Sequence, residues 1–324
     1  MSREQFDPAK VSLITVGEEN DGQRIDNFLL TLLKGAPKTL VYRIIRKGEV
    51  RLNKGRVKAD SRIASGDIVR VPPVRLPEQN EVPDVSPKLQ QILEASIVYE
   101  DAGLIAVNKP HGLAVHGGSG VSLGLIEALR KLRPDHSFLE LVHRLDRDTS
   151  GLILVAKKRS VLTALQQMLV NKKGIRKQYL ALVHGQWDEG VRDVKHPLLR
   201  TERQSGERIV VVSQEGKTCH TRTRLLSSGR RYSLIEAEPV TGRTHQIRVH
   251  SLAEGHVIAG DEKYSDKTEK ELDRDHGVRR LCLHAWRLSF RNPLDGEQLS
   301  LQALPDQEML EAFRQAGCEF GGDV

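Results

Sequence analysis

A short stretch in the middle of the chain, residues 143–151 (His-Arg-Leu-Asp-Arg-Asp-Thr-Ser-Gly), holds side chains suited to acid–base or electrostatic chemistry. Five of its first six side chains are ionisable, and the apolar run 152–156 follows the stretch directly. Core segments rarely carry so many charges, because each charge taken from water has to be paired or neutralised. The pattern therefore predicts an active-site loop beside a buried strand, with Asp146 as its central carboxylate.

Three further segments could contribute to such a site. They are a strand running into a Pro/Gly turn, a Lys-Gln-Tyr sequence and a His/Arg-rich turn before a predicted short helix, at 108–116, 177–179 and 241–250. Each has an ordinary explanation when taken singly, since such turns are common or superficial and a tyrosine entering a strand is more often core than catalytic. Their combination with the Asp146 stretch makes them candidates for one site.

Composition narrows the class of protein. The 324 residues are 38% hydrophobic and 29% charged, which is globular and leaves room for one large and one small domain. No apolar run approaches the roughly 20 residues that a membrane-spanning helix needs, and the N-terminus lacks the apolar core of a secretion signal. Three cysteines form no close pair, so neither a disulfide framework nor a thiolate zinc site is indicated. A cytoplasmic protein is expected.

The positive charge is concentrated in one part of the chain. The formal net charge is +7, but residues 24–75 hold 13 Lys/Arg against 4 Asp/Glu, a local balance of +9, so the remainder sums to −2. A charge kept for solubility would be spread more evenly. The concentration therefore predicts a docking surface for a polyanion, although a basic, solvated face would be the simpler interpretation outside a recognisable module.

The same basic segment has the pattern of a compact unit. Apolar residues at helical spacing predict one helix over about 25–33 and a second that Pro37 opens and Lys47-Gly48 ends, followed by strands at 50–53 and 68–71. The basic side chains fall largely off the apolar faces, where they could meet phosphates; they are Lys38, Arg43, Arg46, Lys47, Arg51, Lys54 and Arg56.

This segment resembles the S4 type of RNA-binding domain. The match is carried by Arg24-Ile25-Asp26, by residues 48–53 and by residues 66–71, and it covers about fifty residues. S4 domains recognise structured RNA mainly through its shape and backbone. The resemblance therefore implies that the seven basic residues contact RNA. Sequence specificity is not expected from this domain alone.

Proline content marks a boundary after the basic unit. Five of the 13 prolines lie between residues 72 and 87, which predicts an extended, semi-rigid linker. The predicted organisation is a flexible lead over 1–20, an S4-like α/β domain over 21–75, a linker over 76–90, a catalytic domain over 91–318 and a tail over 319–324. Short strands alternating irregularly with a few helices predict an α+β catalytic domain with a mixed, largely antiparallel sheet.

The large domain resembles the RluA family of pseudouridine synthases over nearly its whole length. The family's His-Arg-Leu-Asp-x-x-Thr-Ser-Gly motif is intact at 143–151, and residues 242–248 (Gly-Arg-Thr-His-Gln-Ile-Arg) match its late motif. Val257 and Ser265 depart from the pattern, which has proline and glycine there. The resemblance implies the pseudouridine synthase fold and the conversion of uridine in RNA to pseudouridine. The target base leaves its stack, its N1–C1′ bond breaks and its C5 joins C1′.

The resemblance also implies roles for individual residues. Asp146 is the essential carboxylate, and the sequence leaves open whether it adds to the sugar, adds to the base or removes the 2′ proton to give a glycal. Arg248 pairs with Asp146, and Tyr179 lies against the uracil and serves as acid or base for the C5 proton. Arg144 fills the gap left by the flipped base or grips its phosphate. The remaining assigned residues shape the pocket or contact RNA; they are Lys109 and His116.

The implied reaction sets the expected partners. It gains no atom and changes no oxidation state, so neither a metal nor an organic cofactor is expected. The implied substrate is a set of specific uridines in 23S ribosomal RNA. No membrane and no obligatory protein partner are expected, and the protein is expected to act as a monomer.

Three alternative interpretations explain less of the sequence. Asp146 and Asp148 could be a glycosidase acid/base pair, but residues at i and i+2 of a strand point in opposite directions. A metal-binding site is a second alternative, but the histidines near the aspartates lack the spacing of a recognised metal-ligand motif. An RNA chaperone would explain the basic unit but would leave the Asp146 and Arg248 motifs without a role.

Overall fold

The computed structural model describes residues 7–33, 35–74, 83–117 and 123–321. The chain divides into two compact units, Met1–Val82 and Pro83–Val324. The described part of the chain contains no helix that is both long and apolar enough to cross a membrane. Both predicted classes of structure, a small α/β unit and a larger α+β unit with a mixed sheet, are confirmed.

The first unit packs two helices on an antiparallel four-stranded sheet of order β1-β4-β2-β3. The predicted helix pair is confirmed, and the apolar stripe of the second helix buries Val41, Ile44 and Ile45 while Arg43 and Arg46 stay exposed. The elements are β1 Ser12–Thr15, α1 Ile25–Leu32, α2 Lys38–Arg46, β2 Arg51–Leu52, β3 Gly55–Arg56 and β4 Ile68–Val71.

The second unit is built on a ten-stranded sheet of order β10-β13-β14-β9-β15-β8-β6-β5, with β16 paired to β15 and β7 to β8. Its elements are α3 Pro87–Ala95, β5 Ile97–Glu100, β6 Leu104–Lys109, α4 Leu125–Leu132, β7 Glu140–Leu141, β8 Ser150–Ala156, α5 Arg159–Asn171, β9 Ile175–His184, β10 Val191–Val194, β11 Leu198–Glu202, β12 Arg208–Val212, β13 Thr221–Ser228, β14 Tyr232–Pro239, α6 Gln246–Ala253, α7 Lys267–Asp275, β15 Leu283–Arg291, β16 Gln298–Gln302 and α8 Gln307–Gln315. Strands β11 and β12 form a separate hairpin.

Side chains alternate between the two faces of this sheet, and a core lies on each. In β9, Tyr179, Ala181 and Val183 belong to the larger core, whereas Leu180 and Leu182 belong to the smaller one beneath α8. Strands β8 and β15 are paired in parallel, whereas the other described pairs of the sheet are antiparallel. Through this parallel pairing, Ser150 and Gly151 at the end of the Asp146 stretch lie beside β15 in the middle of the sheet.

Three predicted boundaries need correction. The predicted flexible lead over 1–20 is wrong for residues 12–15, because their backbone pairs with β4. The predicted linker over 76–90 is wrong for its last residues, because Ser86 caps α3 by accepting from Leu89 N and Pro87 suits the first turn. Residues 1–6 and 76–82 lie outside the described residues.

The predicted tail over 319–324 begins too early. Phe320 packs its ring against Trp286 and Phe313, with ring centroids 5.5 and 6.0 Å apart, and so belongs to the smaller core of the second unit. Residues 322–324 lie outside the described part of the chain.

Candidate active site

The Asp146 loop connects β7 to β8. Leu145 is buried and anchors the loop, whereas the Asp146 side chain is 21% exposed. Thr149 N donates to the carbonyl of Asp146 at 3.2 Å and closes the turn. Gly151 has a φ of +104°, and a Cβ there would lie 2.3 Å from the carbonyl oxygen of Ala285 in β15. Only glycine therefore fits where the loop enters the sheet.

Ser150 connects the loop to a buried hydrogen-bond network. Its Oγ accepts from Arg280 Nη2 at 2.6 Å and lies 2.8 Å from His284 Nδ1, while His284 Nε2 lies 2.9 Å from the Ala303 carbonyl. The carbonyl can only accept, so Nε2 carries the proton and Ser150 donates to Nδ1. Burial lowers the pKa of His284 to about 4, which keeps the ring neutral.

This buried ring makes stability depend on pH. Between about pH 6.5 and about pH 4 the unfolded chain binds a proton that native His284 does not, so stability falls as the pH falls through that window. From pH 7 to pH 5 we expect His284 to account for a loss of about 2 kcal/mol. Urea unfolding of His284→Gln should show a pH dependence weaker by that amount, whereas the exposed control His116→Gln should match the wild type. Equal slopes for all three proteins would contradict this assignment.

Lys109 is fully buried at the end of β6, so the predicted RNA contact for it is wrong. Its Nζ donates to the carbonyls of Pro110, Leu113 and Arg147 at 2.8 to 2.9 Å. Three carbonyl acceptors require three N–H groups, which an ammonium supplies. Burial lowers the pKa of Lys109 to about 7. Lys109 therefore shapes the pocket by joining the turn at 110–113 to the Asp146 loop.

We expect Lys109→Met to lower the free energy of unfolding by about 3 kcal/mol, because it leaves three buried carbonyls without their donor. Turnover should fall as the backbone at Arg147 is released, while the RNA affinity of the folded protein stays unchanged. Urea unfolding and a filter-binding titration measure the two effects, with exposed Lys88→Met as control. Weakened RNA binding with full stability would restore the original assignment.

Arg248 lies on α6 and reaches the loop across the site. Its Nη1 is 3.7 Å from Asp146 Oδ2, a close ion-pair distance that is too long for a hydrogen bond. Opposite charges about 4 Å apart attract by about 4 kcal/mol at an effective dielectric near 20, before desolvation is subtracted. The structure thus brings together two residues separated by about a hundred positions.

A second carboxylate holds Arg248 more tightly than Asp146 does. Asp261 accepts from Arg248 Nε at 2.7 Å and from Nη2 at 2.6 Å, and its side chain is 0% exposed. Burial lowers the pKa of Arg248, but the hydrogen bonds and charge of Asp261, with the charge of Asp146, outweigh burial and raise it. Sequence reasoning missed Asp261. Its signal was a Gly-Asp pair directly after the apolar residues 257–259.

Three more polar side chains of the candidate segments are buried or half-buried. Burial and the charge of Asp146 raise the pKa of Tyr179, which keeps its phenol protonated. His143 Nε2 accepts from Leu154 N at 3.3 Å, and burial lowers its pKa to about 3, so this ring is a neutral support of the loop. Lys177 is half-buried next to Gly242, and burial lowers its pKa.

Comparison with known proteins decides the family. Residues 103–253 match the family model of RNA pseudouridylate synthases, and residues 23–69 match the S4 domain. The chain is 54% identical over 301 residues to "Ribosomal large subunit pseudouridine synthase C" of Pasteurella multocida, covering 92% of each chain. It is 52% identical over 304 residues to the protein of that name from Escherichia coli K12, covering 92% of this chain and 94% of the other. The chain belongs to the RNA pseudouridylate synthase family.

Two solved structures of human pseudouridylate synthases share the fold. "Human RNA Pseudouridylate Synthase Domain Containing 4" is 26% identical with a TM-score of 0.60, covering 72% of this chain and 98% of that one. "Human RNA Pseudouridylate Synthase Domain Containing 1" is 29% identical with a TM-score of 0.54, covering 65% and 83%. The predicted family and fold are therefore confirmed.

The other predicted RNA contacts of this synthase are mostly on its surface. Arg144 and His116 are exposed in the second unit. In the S4 unit, Arg51 is half-buried and the other assigned basic residues are exposed; they are Lys38, Arg43, Arg46, Lys47, Lys54 and Arg56. Their positions are compatible with RNA binding, and the individual contacts stay predictions.

No metal-binding cluster emerges among the described residues, in which no three His, Cys, Asp or Glu side chains converge. The site presents a partly exposed carboxylate, a guanidinium fixed beside it, a neutral phenol and a neutral imidazole. Such a set can stabilise charge at a sugar or base and can hold or move a proton.

Proposed function

We propose that this protein converts specific uridines of 23S ribosomal RNA to pseudouridine. The observation that carries the proposal is the partly exposed Asp146 carboxylate 3.7 Å from Arg248, in a chain about half identical to proteins named for large-subunit pseudouridine synthesis. The large ribosomal subunit is the substrate that those names give. Ribosomal RNA as substrate places the proposed reaction in the cytoplasm.

The proposed reaction conserves atoms and electrons. The N1–C1′ bond of a flipped-out uridine breaks, the uracil turns within the pocket, C5 bonds to C1′, and the proton lost from C5 is balanced by one gained at N1. We propose that Asp146 acts on the sugar or base during bond cleavage and that the Arg248 guanidinium stabilises its charge. Tyr179 would lie against the uracil as a neutral phenol, since burial disfavours its phenolate.

The proposed chemistry needs nothing beyond one chain. An isomerisation without redox change requires neither metal nor organic cofactor, and Asp146, Tyr179 and Arg248 all belong to the same polypeptide. We therefore propose a monomer that acts without an obligatory protein partner. The second unit would supply the chemistry, and the first unit, which contains the S4 match at residues 23–69, would supply RNA affinity.

The direct test is to incubate purified protein with an unmodified 23S transcript and to map pseudouridine at nucleotide resolution. We expect conversion at a small number of defined uridines and at no others. An unmodified transcript after exhaustive incubation with folded protein would contradict the proposal.

Three arginines in the S4 unit form a row that supports RNA binding. Arg51 is directly opposite Arg56 in one strand pair and directly opposite Arg70 in the other. Like charges placed opposite each other destabilise a sheet. An RNA phosphate bound over the row would relieve that repulsion.

We expect the double variant Arg51→Gln/Arg56→Gln to bind the transcript more weakly and to lower the slope of log affinity against log salt by about 2. The rate at saturating RNA should be unchanged, because these residues are assigned to affinity alone. Titrations at several salt concentrations measure the slope, with exposed Arg291→Gln of β15 as control. An unaltered slope would remove both arginines from the RNA-binding surface.

A further inference from the structure

The segment Gly260–Tyr264 touches the active-site side of α6 at three points. Asp261 binds Arg248 through two hydrogen bonds, and the Arg248 guanidinium lies 5.0 Å from the centre of the Tyr264 ring. The Tyr264 hydroxyl lies 2.7 Å from His245 Nδ1. His245, which precedes α6, and Arg248 are both near Asp146, since His245 Nε2 is 3.8 Å from Oδ2 and Arg248 Nη1 is 3.7 Å from it.

This segment is itself held firmly. Asp261 Oδ1 accepts from the backbone N–H groups of Lys263 and Tyr264 at 3.1 and 3.2 Å, in addition to its bond from Arg248. Gly260 N donates to Asp273 Oδ2 at 2.8 Å. Gly260 has a φ of +74°, and a Cβ there would lie 1.9 Å from the Arg280 carbonyl oxygen, so its backbone is closely packed.

Hydrogen bonding fixes the role of each guanidinium nitrogen of Arg248. Nε and Nη2 are occupied by Asp261, and Nη1 alone faces Asp146. At 3.7 Å it supplies charge without a hydrogen bond, so Asp146 is not locked in a two-pronged ion pair. A carboxylate that has to reach a sugar or a base needs this freedom of its oxygens.

The same segment sets the tautomer of His245. The Tyr264 hydroxyl accepts from Val210 N at 3.1 Å, which leaves its own proton available for His245 Nδ1, 2.7 Å away. Burial lowers the pKa of His245, and a neutral ring that accepts the Tyr264 proton at Nδ1 carries its own proton on Nε2, towards Asp146. In this tautomer His245 presents an N–H group to Asp146, which is the second positively polarised neighbour of the carboxylate after Arg248.

We propose that Asp261 is a positioning residue that holds Arg248 beside Asp146 and prevents the two from closing into a direct hydrogen-bonded pair. The proposal rests on the proposed function, because its test measures pseudouridine formation. Asp261 does not touch the substrate and acts through Arg248. Tyr264 assists by packing under the guanidinium and orienting His245.

The experiment compares wild type, Asp261→Asn, Arg248→Lys and the double variant in single turnovers at saturating 23S transcript. Asp261→Asn should slow the reaction on the order of 100-fold, as expected for a misplaced catalytic group, with RNA affinity within about twofold. The double variant should be no slower than the slower single variant, because both changes disrupt one unit. Glu262→Gln, an exposed neighbouring carboxylate, is the matched control and should behave as wild type.

A pH profile separates positioning from general support of the fold. Asp261→Asn removes a negative charge from the group of Arg248, His245 and Tyr179 around Asp146, so the acid limb of the rate–pH profile should move to lower pH. Asp261→Glu keeps the charge but displaces the guanidinium; it should slow the reaction without moving the acid limb to lower pH, and it covers the case in which the Asn variant fails to fold.

Two results would overturn the proposal: losses that multiply in the double variant, or a wild-type rate and profile in Asp261→Asn. A wild-type protein that leaves the transcript unmodified would instead overturn the proposed function, before any variant is compared.

Discussion

Asp146→Asn protein is expected to bind unmodified 23S transcript as tightly as wild type and to convert no uridine. Asparagine matches aspartate in size, and Arg248 remains anchored by Asp261, so neither the loop nor α6 should move. The loss is therefore chemical. We expect turnover to fall on the order of 10⁴-fold or more, as when a residue central to catalysis is removed. Pseudouridine mapping measures turnover, and filter binding measures affinity.

Asp148→Asn is the matched control, because it removes a carboxylate two residues along the same loop. Asp148 pairs with exposed Arg147 at 3.1 Å, and its backbone carbonyl, which the substitution leaves intact, lies 2.8 Å from His111 Nδ1. Its turnover should stay close to wild type. Retained function in Asp146→Asn would favour the RNA chaperone alternative, in which the basic unit alone does the work.

The position of the active-site loop could be predicted because its signals are local. Five ionisable side chains beside an apolar run indicate the end of a buried strand, where the charges have to be paired or neutralised. The pairing of Asp146 with Arg248 followed from the resemblance. The need for glycine at 151 is different, since it comes from the backbone of Ala285 in β15. That contact joins strands more than a hundred residues apart, which no local pattern specifies.

Two side chains of the site were misjudged or missed because their partners are backbone groups or distant residues. The resemblance assigned Lys109 to shaping the pocket or to contacting RNA, and the three carbonyls of folded loops around its amine favour the first. Asp261 follows the apolar residues 257–259, and a polar residue after a short apolar run is too common to indicate a role in the site. Its importance became visible once α6 was folded against it and both bonds to Arg248 were in place.

The wrong boundaries at the chain ends and in the linker also concern residues whose order depends on contacts with other parts of the fold. Residues 12–15 (Ser-Leu-Ile-Thr) hold two apolar side chains, but so short a segment is a weak strand signal by itself, and its order comes from pairing with Ile68–Val71. Phe320 was placed in a tail because few residues follow it, although its ring fills a space between Trp286 and Phe313. The helix Pro87–Ala95 was hidden by the prolines before it, although proline favours a helix start.

Arg248→Met should abolish most activity and also destabilise the fold, a combination not expected of Asp146→Asn. Methionine fills part of the volume but leaves Asp261, whose side chain is 0% exposed, as a buried carboxylate without its cation. Removing one partner of a buried pair costs about 3 to 5 kcal/mol. Turnover should fall on the order of 10³-fold because the charge beside Asp146 is gone. Urea unfolding and single-turnover mapping measure the two losses.

Adding Asp261→Asn to Arg248→Met separates the two effects. The double variant no longer buries an unpaired charge, so most of the lost stability should return, whereas turnover should stay low because no guanidinium faces Asp146. Recovery of turnover together with stability would mean that Arg248 serves the fold alone. Full stability in the single variant would mean that Asp261 does not depend on Arg248 and would contradict a guanidinium shared by the two carboxylates.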